Sequence, residues 1–381
     1  MLRMKMNMRM MMKMMLVLAV AVAVGVEARG GRGRLSNFLN NDSGPSGNSL
    51  RKFNTRANPI ARDDLDALSG SSEENIGLCA STPSVANLNT SMPIPDSYNS
   101  HEAYSKCKPD ILQQGSCGSC WAFATTGVLA QRMCIKSEQI GQGYELAPQA
   151  LVSCTDQICY TKAGDRCSSP SSTCYCSLGC DGGYPDGAFR FMQDEGITPE
   201  LCVKYVSKDG TDPLECSDVQ TMVSECTATS NATVNGDRCY YHSSSDIETI
   251  QRDIMQHGPV LASYEVFEDF GEYDSGVYTC PDDGSDSIGW HAVIIVGWGV
   301  EDNTPYWLVQ NSWGTGFGID GYFKIARGTN ECNIESRLVT SLVNTEGVVF
   351  ASTSGAAVAK PATAFLAVAV AVAVAAIFST N

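Results

Sequence analysis

The stretch QGSCGSCW, residues 114–121, carries the most chemical information in this chain. Cys120 follows two small residues and opens the run CWAFATTGVLAQRMCIK (120–136), whose apolar residues recur near helical spacing. A helix N-terminus presents unpaired N–H groups and a positive dipole end, and both lower the pKa of a thiol placed there. The stretch therefore predicts a nucleophilic thiolate at Cys120. Taken alone, it also fits a pair of Cys117 and Cys120 that forms a disulfide, a redox centre or a metal site.

Outward from this stretch, the chain divides into a helical half and a later β-rich half. Helices are predicted at 120–136 and 185–194, and strands at 291–299, 305–313 and 321–326. Helices first and strands later predict an α+β domain whose two halves pack face to face.

A base for the thiolate is expected where the first two of these strands meet. His291 and Asn311 each lie ten residues from Glu301, so an antiparallel hairpin centred there would place them side by side. An Asn oxygen that accepts from the imidazole would fix its tautomer and aim the other nitrogen at the sulfur. Trp313 is expected to cover this hydrogen bond.

Composition limits the partners and the compartment. The 381 residues carry a net charge of −16, which argues against a nucleic-acid partner because phosphate binding needs a basic face. Seventeen cysteines indicate an oxidising compartment, and their odd number leaves at least one without an intramolecular partner.

The two ends of the chain differ from its middle. Residues 1–28 read as a secretory signal peptide, with basic residues, an apolar run and a small-residue cleavage site. We expect a pro-segment at 29–91, a catalytic domain at 92–344, and a linker with a hydrophobic tail at 345–381. The tail is similar to a glycolipid-anchor signal, and a membrane span or a trimmed segment stays open. The secretory pathway is therefore predicted, with lysosome or vacuole, extracellular space and cell surface as open destinations.

Several motifs together resemble one enzyme family. QGSCGSCW, the strand that starts at His291 and NSWG (311–314) are similar, in order and separation, to the three signature blocks of papain-family cysteine peptidases. Five further motifs resemble the cathepsin B branch of this family, namely GCDGGYPDGAF (179–189), HGPV (257–260), DSGVY (274–278), WGVEDNTPYWLVQNSWG (298–314) and ECNIES (331–336). The resemblance covers about 92–343. It implies a papain-like two-domain α+β fold, with a helical half bearing the nucleophile packed against a β-barrel-like half bearing the histidine.

The resemblance also implies residue roles. Cys120 would attack the peptide carbonyl, paired with His291, while the Cys120 N–H and the Gln114 side chain hold the oxyanion and Asn311 orients the imidazole. It implies no cofactor and no metal. Substrate-binding residues would be Gly182, Gly183, Pro185, Ala292, Trp313 and Arg337. For the two glycines, whose lack of Cβ would admit a substrate backbone, a simple tight turn is the alternative.

Three disulfides follow from the resemblance, namely Cys107–Cys134, Cys117–Cys180 and Cys280–Cys332, the last as in the cathepsin L and papain branches. Cys79 in the pro-segment has no assignable partner. Nine further cysteines stay unassigned, at positions 154, 159, 167, 174, 176, 202, 216, 226 and 239. A zinc site at Cys174, Cys176 and Cys180 is a weaker alternative.

The chain departs from the family pattern at three places. The stretch that corresponds to the dipeptide-releasing occluding loop, about 197–241, contains no histidine, which favours an endopeptidase. Arg337 stands where cathepsin B has an acidic residue in the S2 pocket, which predicts an apolar or acidic P2 side chain, unless Arg337 only reaches solvent. Trp290 replaces a small or polar residue and either narrows the primed side or only packs.

Taken together, the sequence predicts a monomeric cysteine endopeptidase that is made as a zymogen and hydrolyses peptides and proteins. Its own pro-segment would inhibit it by lying in the cleft in the reverse sense until a cut near 89–93. Membrane attachment would depend on the tail. The alternatives are a catalytically silent surface module of the same fold and a thioester-dependent acyl transferase or ligase.

Overall fold

The computed structural model describes residues 53–55, 69, 71–72, 75–81, 86–137, 145–226 and 233–345. The predicted signal peptide (1–28) lies outside the described residues, as does the predicted tail beyond its first residue. Among the described residues, no helix has the length and hydropathy needed to cross a membrane.

The first half of the domain is helical. Its longest helix begins at the nucleophile predicted above, and 15 of its 18 residues are buried because other elements cover it on nearly every side. The helices are α1 (Ser100–Ala103), α2 (Cys120–Ser137), α3 (Pro148–Ser153), α4 (Pro185–Asp194) and α5 (Cys216–Glu225). Pro148 and Pro185 occupy the first turns of α3 and α4, where a missing N–H does no harm.

The second half is a nine-stranded sheet with one helix, α6 (Ile247–His257). Its strands are β1 (Phe53–Thr55), β2 (Tyr98–Asn99), β5 (Gly236–Tyr241), β6 (Val260–Val266), β7 (Tyr273–Tyr278), β8 (Gly289–Glu301), β9 (Thr304–Gln310), β10 (Tyr322–Ala326) and β11 (Leu338–Val343). The order across the sheet is β1-β7-β10-β9-β8-β6-β11-β5, with β2 paired to β8. A separate two-stranded sheet joins β3 (Cys159–Tyr160) to β4 (Tyr175–Cys176). The predicted α+β class is confirmed.

The turn of the β8–β9 hairpin is centred between Asp302 and Asn303, past the predicted centre at Glu301. Glu301 pairs with Thr304, and the turn residues Asp302 and Asn303 have φ of 48° and 62°, a conformation that Asp and Asn tolerate. A bulge between Ile295 and Gly297 shifts the register once more. The predicted centre at Glu301 is therefore wrong, and β9 ends at Gln310 instead of reaching residue 313.

Each half has its own core, and the two cores meet along α2 and β8. One cluster of buried apolar side chains surrounds α2 and α4, and the other fills the space enclosed by the sheet, α6 and the loop before β7. Because α2 packs against β8, the first residue of the helix faces the strand that carries His291. Packing of the halves therefore creates a cleft between the two predicted catalytic residues.

Sixteen of the 17 cysteines form eight disulfides, and Cys120 is the one outside them. The pairs Cys107–Cys134, Cys117–Cys180 and Cys280–Cys332 are present. Four pairs join cysteines that the sequence left unassigned: Cys154–Cys216, Cys159–Cys176, Cys167–Cys174 and Cys202–Cys226. The sulfurs of Cys174, Cys176 and Cys180 are all oxidised, so no thiolate remains there for the zinc alternative.

The eighth disulfide joins Cys79, for which the sequence indicates no assignable partner, to Cys239 on β5. Their 160-residue separation in sequence hid this partner. This disulfide thus links the predicted pro-segment covalently to the predicted catalytic domain.

Candidate active site

Cys120 is the first residue of α2 and is fully buried. Its Sγ accepts a hydrogen bond from the backbone N–H of Ala292 at 3.4 Å. Ala292 directly follows His291 on β8, so the start of α2 that bears the predicted nucleophile faces the part of β8 that bears the predicted base. A helix start and a donated N–H both stabilise a negative sulfur.

His291 and Asn311 meet although they are not direct cross-strand partners. The Nε2 of His291 and the Oδ1 of Asn311 are 2.8 Å apart, and both residues are buried. Asn311 lies just past the end of β9, where the chain is free to turn its side chain back toward β8. With the N–H on Nε2, the Nδ1 face of the ring is the one left for the thiol.

Two aromatic rings hold the imidazole in place. The ring centroid of Trp313 lies 4.7 Å from that of His291, and Trp313 is itself buried. Tyr264, the partner of His291 across β6 and β8, packs edge-on at 6.0 Å. Burial raises the pKa of Tyr264 well above its usual value, so its phenol is neutral.

Gln114 lies beside the start of α2, with both ends of its amide engaged. Its Nε2 donates to the carbonyl of Cys117 at 2.8 Å, and its Oε1 accepts from the hydroxyl of Ser312 at 2.6 Å. The side chain is fully buried. An amide carries N–H donors of the kind that stabilise an oxyanion, and this one lies beside the start of the helix that bears Cys120.

The two adjacent glycines are required for different reasons. Gly182 has φ of 109°, a conformation that residues with a Cβ rarely adopt. At Gly183 a Cβ would lie 2.5 Å from the ring of Trp121. The loop thereby presents bare backbone along the wall of the cleft.

Residues of the predicted pro-segment lie between the glycine loop and β8. Ser71 forms a parallel bridge with Gly183 and donates its N–H to the carbonyl of Trp290 at 3.0 Å. The N–H of Ser72 donates to the carbonyl of Gly183 at 2.9 Å. Ser71 also shares a 2.9 Å hydroxyl contact with Ser263, which pairs with Ala292 across β6 and β8. The segment therefore runs between the walls that flank Cys120.

The remaining predicted substrate-binding residues line the same region. Pro185 is buried in the first turn of α4, directly after the glycine loop. The guanidinium of Arg337 lies 4.9 Å from the ring centroid of Trp290, and its carbonyl accepts from the N–H of Ser263. Both Arg337 and Trp290 are half-buried. Arg337 therefore stacks on an aromatic ring instead of extending into solvent, and Trp290 packs against it.

Tyr205 is a contributor that the sequence did not reveal. Its hydroxyl donates to the carbonyl of Gln114 at 2.8 Å and lies 2.8 Å from the hydroxyl of Ser119. Burial raises its pKa to about 12, so it keeps its proton. Ser263 and Ser312 were missed as well, because nothing in their local sequence distinguishes them from other serines near a strand.

Comparison with known proteins gives one family. Residues 94–342 match the family described as papain family cysteine protease. Cathepsin B-like cysteine proteinase 3 of Caenorhabditis elegans is 35% identical over 70% of this chain and 71% of its own length. Cathepsin B-like cysteine proteinase 1 of Ostertagia ostertagi is 34% identical over 66% of this chain and 73% of its own length.

Solved structures agree with the sequence relatives. Procathepsin B S9 from Trypanosoma congolense superposes with a TM-score of 0.62 at 27% identity, covering 77% of this chain and 94% of that one. Digestive procathepsin L2 of Tenebrio molitor gives 0.60 at 28% identity, covering 77% and 85%. Both neighbours are zymogens by name, and the resemblance inferred from the motifs is confirmed.

Proposed function

This chain belongs to the papain family of cysteine proteases, and on that premise we propose that it is a secreted endopeptidase that works through a thioester on Cys120. It is a cathepsin B-like cysteine peptidase. The observation that carries the proposal is that Cys120 is the one cysteine outside the eight disulfides and lies at the start of a helix. The backbone N–H of Ala292, the residue after His291, donates a hydrogen bond to its sulfur.

Catalysis begins with a thiolate on Cys120 and an imidazolium on His291. The sulfur attacks the substrate carbonyl carbon, and the Gln114 amide and the Cys120 N–H stabilise the oxyanion. His291 then gives its proton to the leaving amine, which departs as the thioester forms. Water, deprotonated by the neutral imidazole, hydrolyses the thioester and restores the thiolate. Asn311 keeps the ring oriented through all steps.

Endopeptidase activity is proposed because the stretch 197–241 offers no histidine to receive a substrate carboxylate. The described part of this stretch holds α5 and β5 and is fastened by Cys202–Cys226. Peptides with a free C-terminus should therefore be cut internally, at rates that amidation leaves unchanged. Removal of dipeptides from the free form, faster than from the amidated form, would contradict this part.

We also propose that the pro-segment, residues 29–91, is the inhibitor and runs in the reverse sense. The parallel sense of the Ser71–Gly183 bridge supports this, because a substrate paired antiparallel with the same glycine would run the other way. The backbone carbonyls of Trp290 and Gly183 accept hydrogen bonds from Ser71 and Ser72, beside the glycines at which a substrate is proposed to pair. The cut that starts the mature domain falls near 89–93, where the described residues are mostly exposed.

The chain is proposed to travel the secretory pathway as a monomer. Eight disulfides need an oxidising compartment, which supports that route together with the sequence of residues 1–28. The final location depends on the tail, for which we retain a lipid-anchor signal as the working proposal.

The decisive experiment treats the processed protein, freed of its pro-segment, with an epoxide cysteine-protease probe and locates the adduct by mass spectrometry. We expect a single adduct, on Cys120. Hydrolysis of peptide reporters should cease once each chain carries one adduct. Cys120→Ser should take up none, while His291→Ala should react at least about tenfold more slowly because the thiolate loses its counter-ion. An adduct elsewhere, or turnover that survives full labelling, would overturn the proposal.

A further inference from the structure

The disulfide between Cys79 and Cys239 joins two segments that the proposed processing would separate. Cys79 lies upstream of the cut near 89–93, and Cys239 lies on β5 of the catalytic domain. Hydrolysis between them opens the backbone and leaves the sulfur–sulfur bond intact. We infer that the processed enzyme is a two-chain molecule in which the pro-segment stays attached through Cys79–Cys239 and continues to block the cleft. The inference rests on the proposed function, because it presupposes this cut.

Backbone hydrogen bonds hold the same segment beside β5. The N–H of Ala80 donates to the carbonyl of Cys239, and the N–H of Tyr241 donates to the carbonyl of Ala80, both at 2.9 Å. Ala80 is paired in parallel with Tyr240. Because β5 is the last strand in the sheet order, the pro-segment adds to an edge that would otherwise present unpaired groups. The cut does not touch these contacts.

A buried carboxylate fastens the chain between the disulfide and the cleft. Asp186, at the start of α4, accepts the N–H of Gly77 at 2.9 Å and the hydroxyl of Tyr241 at 2.6 Å. Asp186 is fully buried, and Ile76 is only 2% exposed. Departure of the pro-segment would remove the Gly77 N–H from this buried carboxyl group, which disfavours release.

The tether is short enough to keep the blocking residues near the cleft. Cys79 lies seven residues after Ser72, and a chain of seven residues spans at most about 25 Å when fully extended. A short flexible connection gives an effective concentration of the order of millimolar. Even if the blocking residues bound with a dissociation constant of about 10 µM, only about one cleft in a hundred would be open. Cutting the backbone near 89–93 is therefore insufficient for full activity.

Release requires a dithiol reductant, or a second cut between Ser72 and Cys79. One thiolate of the reductant attacks a sulfur of the Cys79–Cys239 pair, forms a mixed disulfide and expels the other sulfur as a thiolate, which takes up a proton. The second thiolate of the reductant then closes its own disulfide and expels the remaining cysteine. Two electrons pass from the reductant to the pair, and the pro-segment leaves.

In the test, the backbone is cut by an added protease, so that cleavage does not depend on the enzyme's own activity. The recognition sequence of a site-specific viral protease is inserted between Thr90 and Ser91, both exposed, in the full chain. The protein is cut in thiol-free buffer, and its intact mass is measured before and after dithiothreitol. Matched variants are Cys79→Ser/Cys239→Ser, and Cys107→Ser/Cys134→Ser as a control whose lost disulfide lies wholly on one side of the cut.

We expect the cut parent chain and the control to keep the fragment until dithiothreitol is added, and the Cys79→Ser/Cys239→Ser chain to lose it without reductant. Peptide hydrolysis per titrated Cys120 should be at least about tenfold slower in the thiol-free parent than after reduction. Loss of the fragment from the thiol-free parent would overturn the tether, and equal rates would overturn the retained block. If the double variant fails to fold, the dithiothreitol arm on the parent decides. If no cut form hydrolyses peptides even when reduced, the proposed function fails while the masses still decide the tether.

Discussion

Arg132 on α2 and Asp253 on α6 form an ion pair of 2.9 Å in which both side chains are almost completely buried. The same carboxylate oxygen accepts from the hydroxyl of Tyr240 at 2.7 Å and lies 2.7 Å from the Nε2 of His242. Burial alone would raise the pKa of Asp253, but Arg132, His242 and Tyr240 together hold it well below its usual range. The helix that carries the nucleophile is thus joined to the β-rich half by a fixed buried charge.

Asp253→Ala should therefore destabilise the protein strongly. It leaves the Arg132 guanidinium buried without its counter-ion, and breaking a buried pair in this way costs about 3–5 kcal/mol. Asp194→Ala is the matched control, because it breaks the more exposed Arg190–Asp194 pair of α4 and should cost less than about 1 kcal/mol. Chemical unfolding of the two variants measures the difference, and equal losses would refute the assignment.

His101 should make stability depend on pH. Its Nε2 lies 2.7 Å from the Oε1 of Gln131 and its Nδ1 lies 2.9 Å from the hydroxyl of Tyr322. Burial lowers the pKa of His101 to about 4 from 6.5. Unfolding lets the ring take up a proton, so stability is constant above pH 6.5 and falls as the pH drops toward 4. The full loss is about 3 kcal/mol, given that one pKa unit corresponds to about 1.4 kcal/mol.

Urea unfolding of the parent and of His101→Gln at pH 7.5, 5.5 and 4.5 checks this. Glutamine keeps a neutral side chain at the site and cannot titrate. The stability difference between the two proteins should shrink as the pH falls through the stated window. A difference that stays constant would contradict the assigned shift.

Local sequence predicted the parts of the fold that depend on local periodicity. The helix expected at 185–194 has those bounds, and the one expected at 120–136 ends one residue later. His291 and Asn311 are in contact, but the strand register from which this was predicted is wrong. The turn position and the bulge depend on backbone conformations that the apolar pattern does not reveal. The contact forms because the Asn311 side chain reaches back across the two-residue difference in register.

Contacts between distant segments could not be predicted in the same way. Cys79 and Cys239 are 160 residues apart. Neither lies in a motif for which the family resemblance implies a disulfide partner. The role of Tyr205 beside Gln114 depends on a loop folding back over the start of α2, for which no pattern in the sequence exists. Packing of the two halves selects these partners, and it is a property of the whole chain.

Gly183→Ala should reduce both stability and turnover. The added methyl would lie 2.5 Å from the Trp121 ring and 2.8 Å from the Ser177 hydroxyl, which forces the loop away from α2. Overpacking of this kind costs about 1–3 kcal/mol, and a displaced loop should lower kcat/KM at least about tenfold. Gly316→Ala is the control, because nothing lies within 4 Å of its added methyl. Unchanged kinetics in the first variant would show that the glycine loop does not position the substrate.

Arg337 should set the charge preferred in the P2 pocket. Its guanidinium, stacked on Trp290, places a positive charge where a P2 side chain is proposed to bind, so basic P2 residues are repelled. Arg337→Glu reverses that charge and should raise the ratio of kcat/KM for an Arg-Arg reporter over a Phe-Arg reporter at least about tenfold, the equivalent of about 1.4 kcal/mol. Arg337→Gln, the matched neutral variant, should give an intermediate ratio, because it removes the repulsion without adding an attraction. A ratio that is the same in all three proteins would mean that the guanidinium lies outside the P2 pocket and that Trp290 merely anchors it.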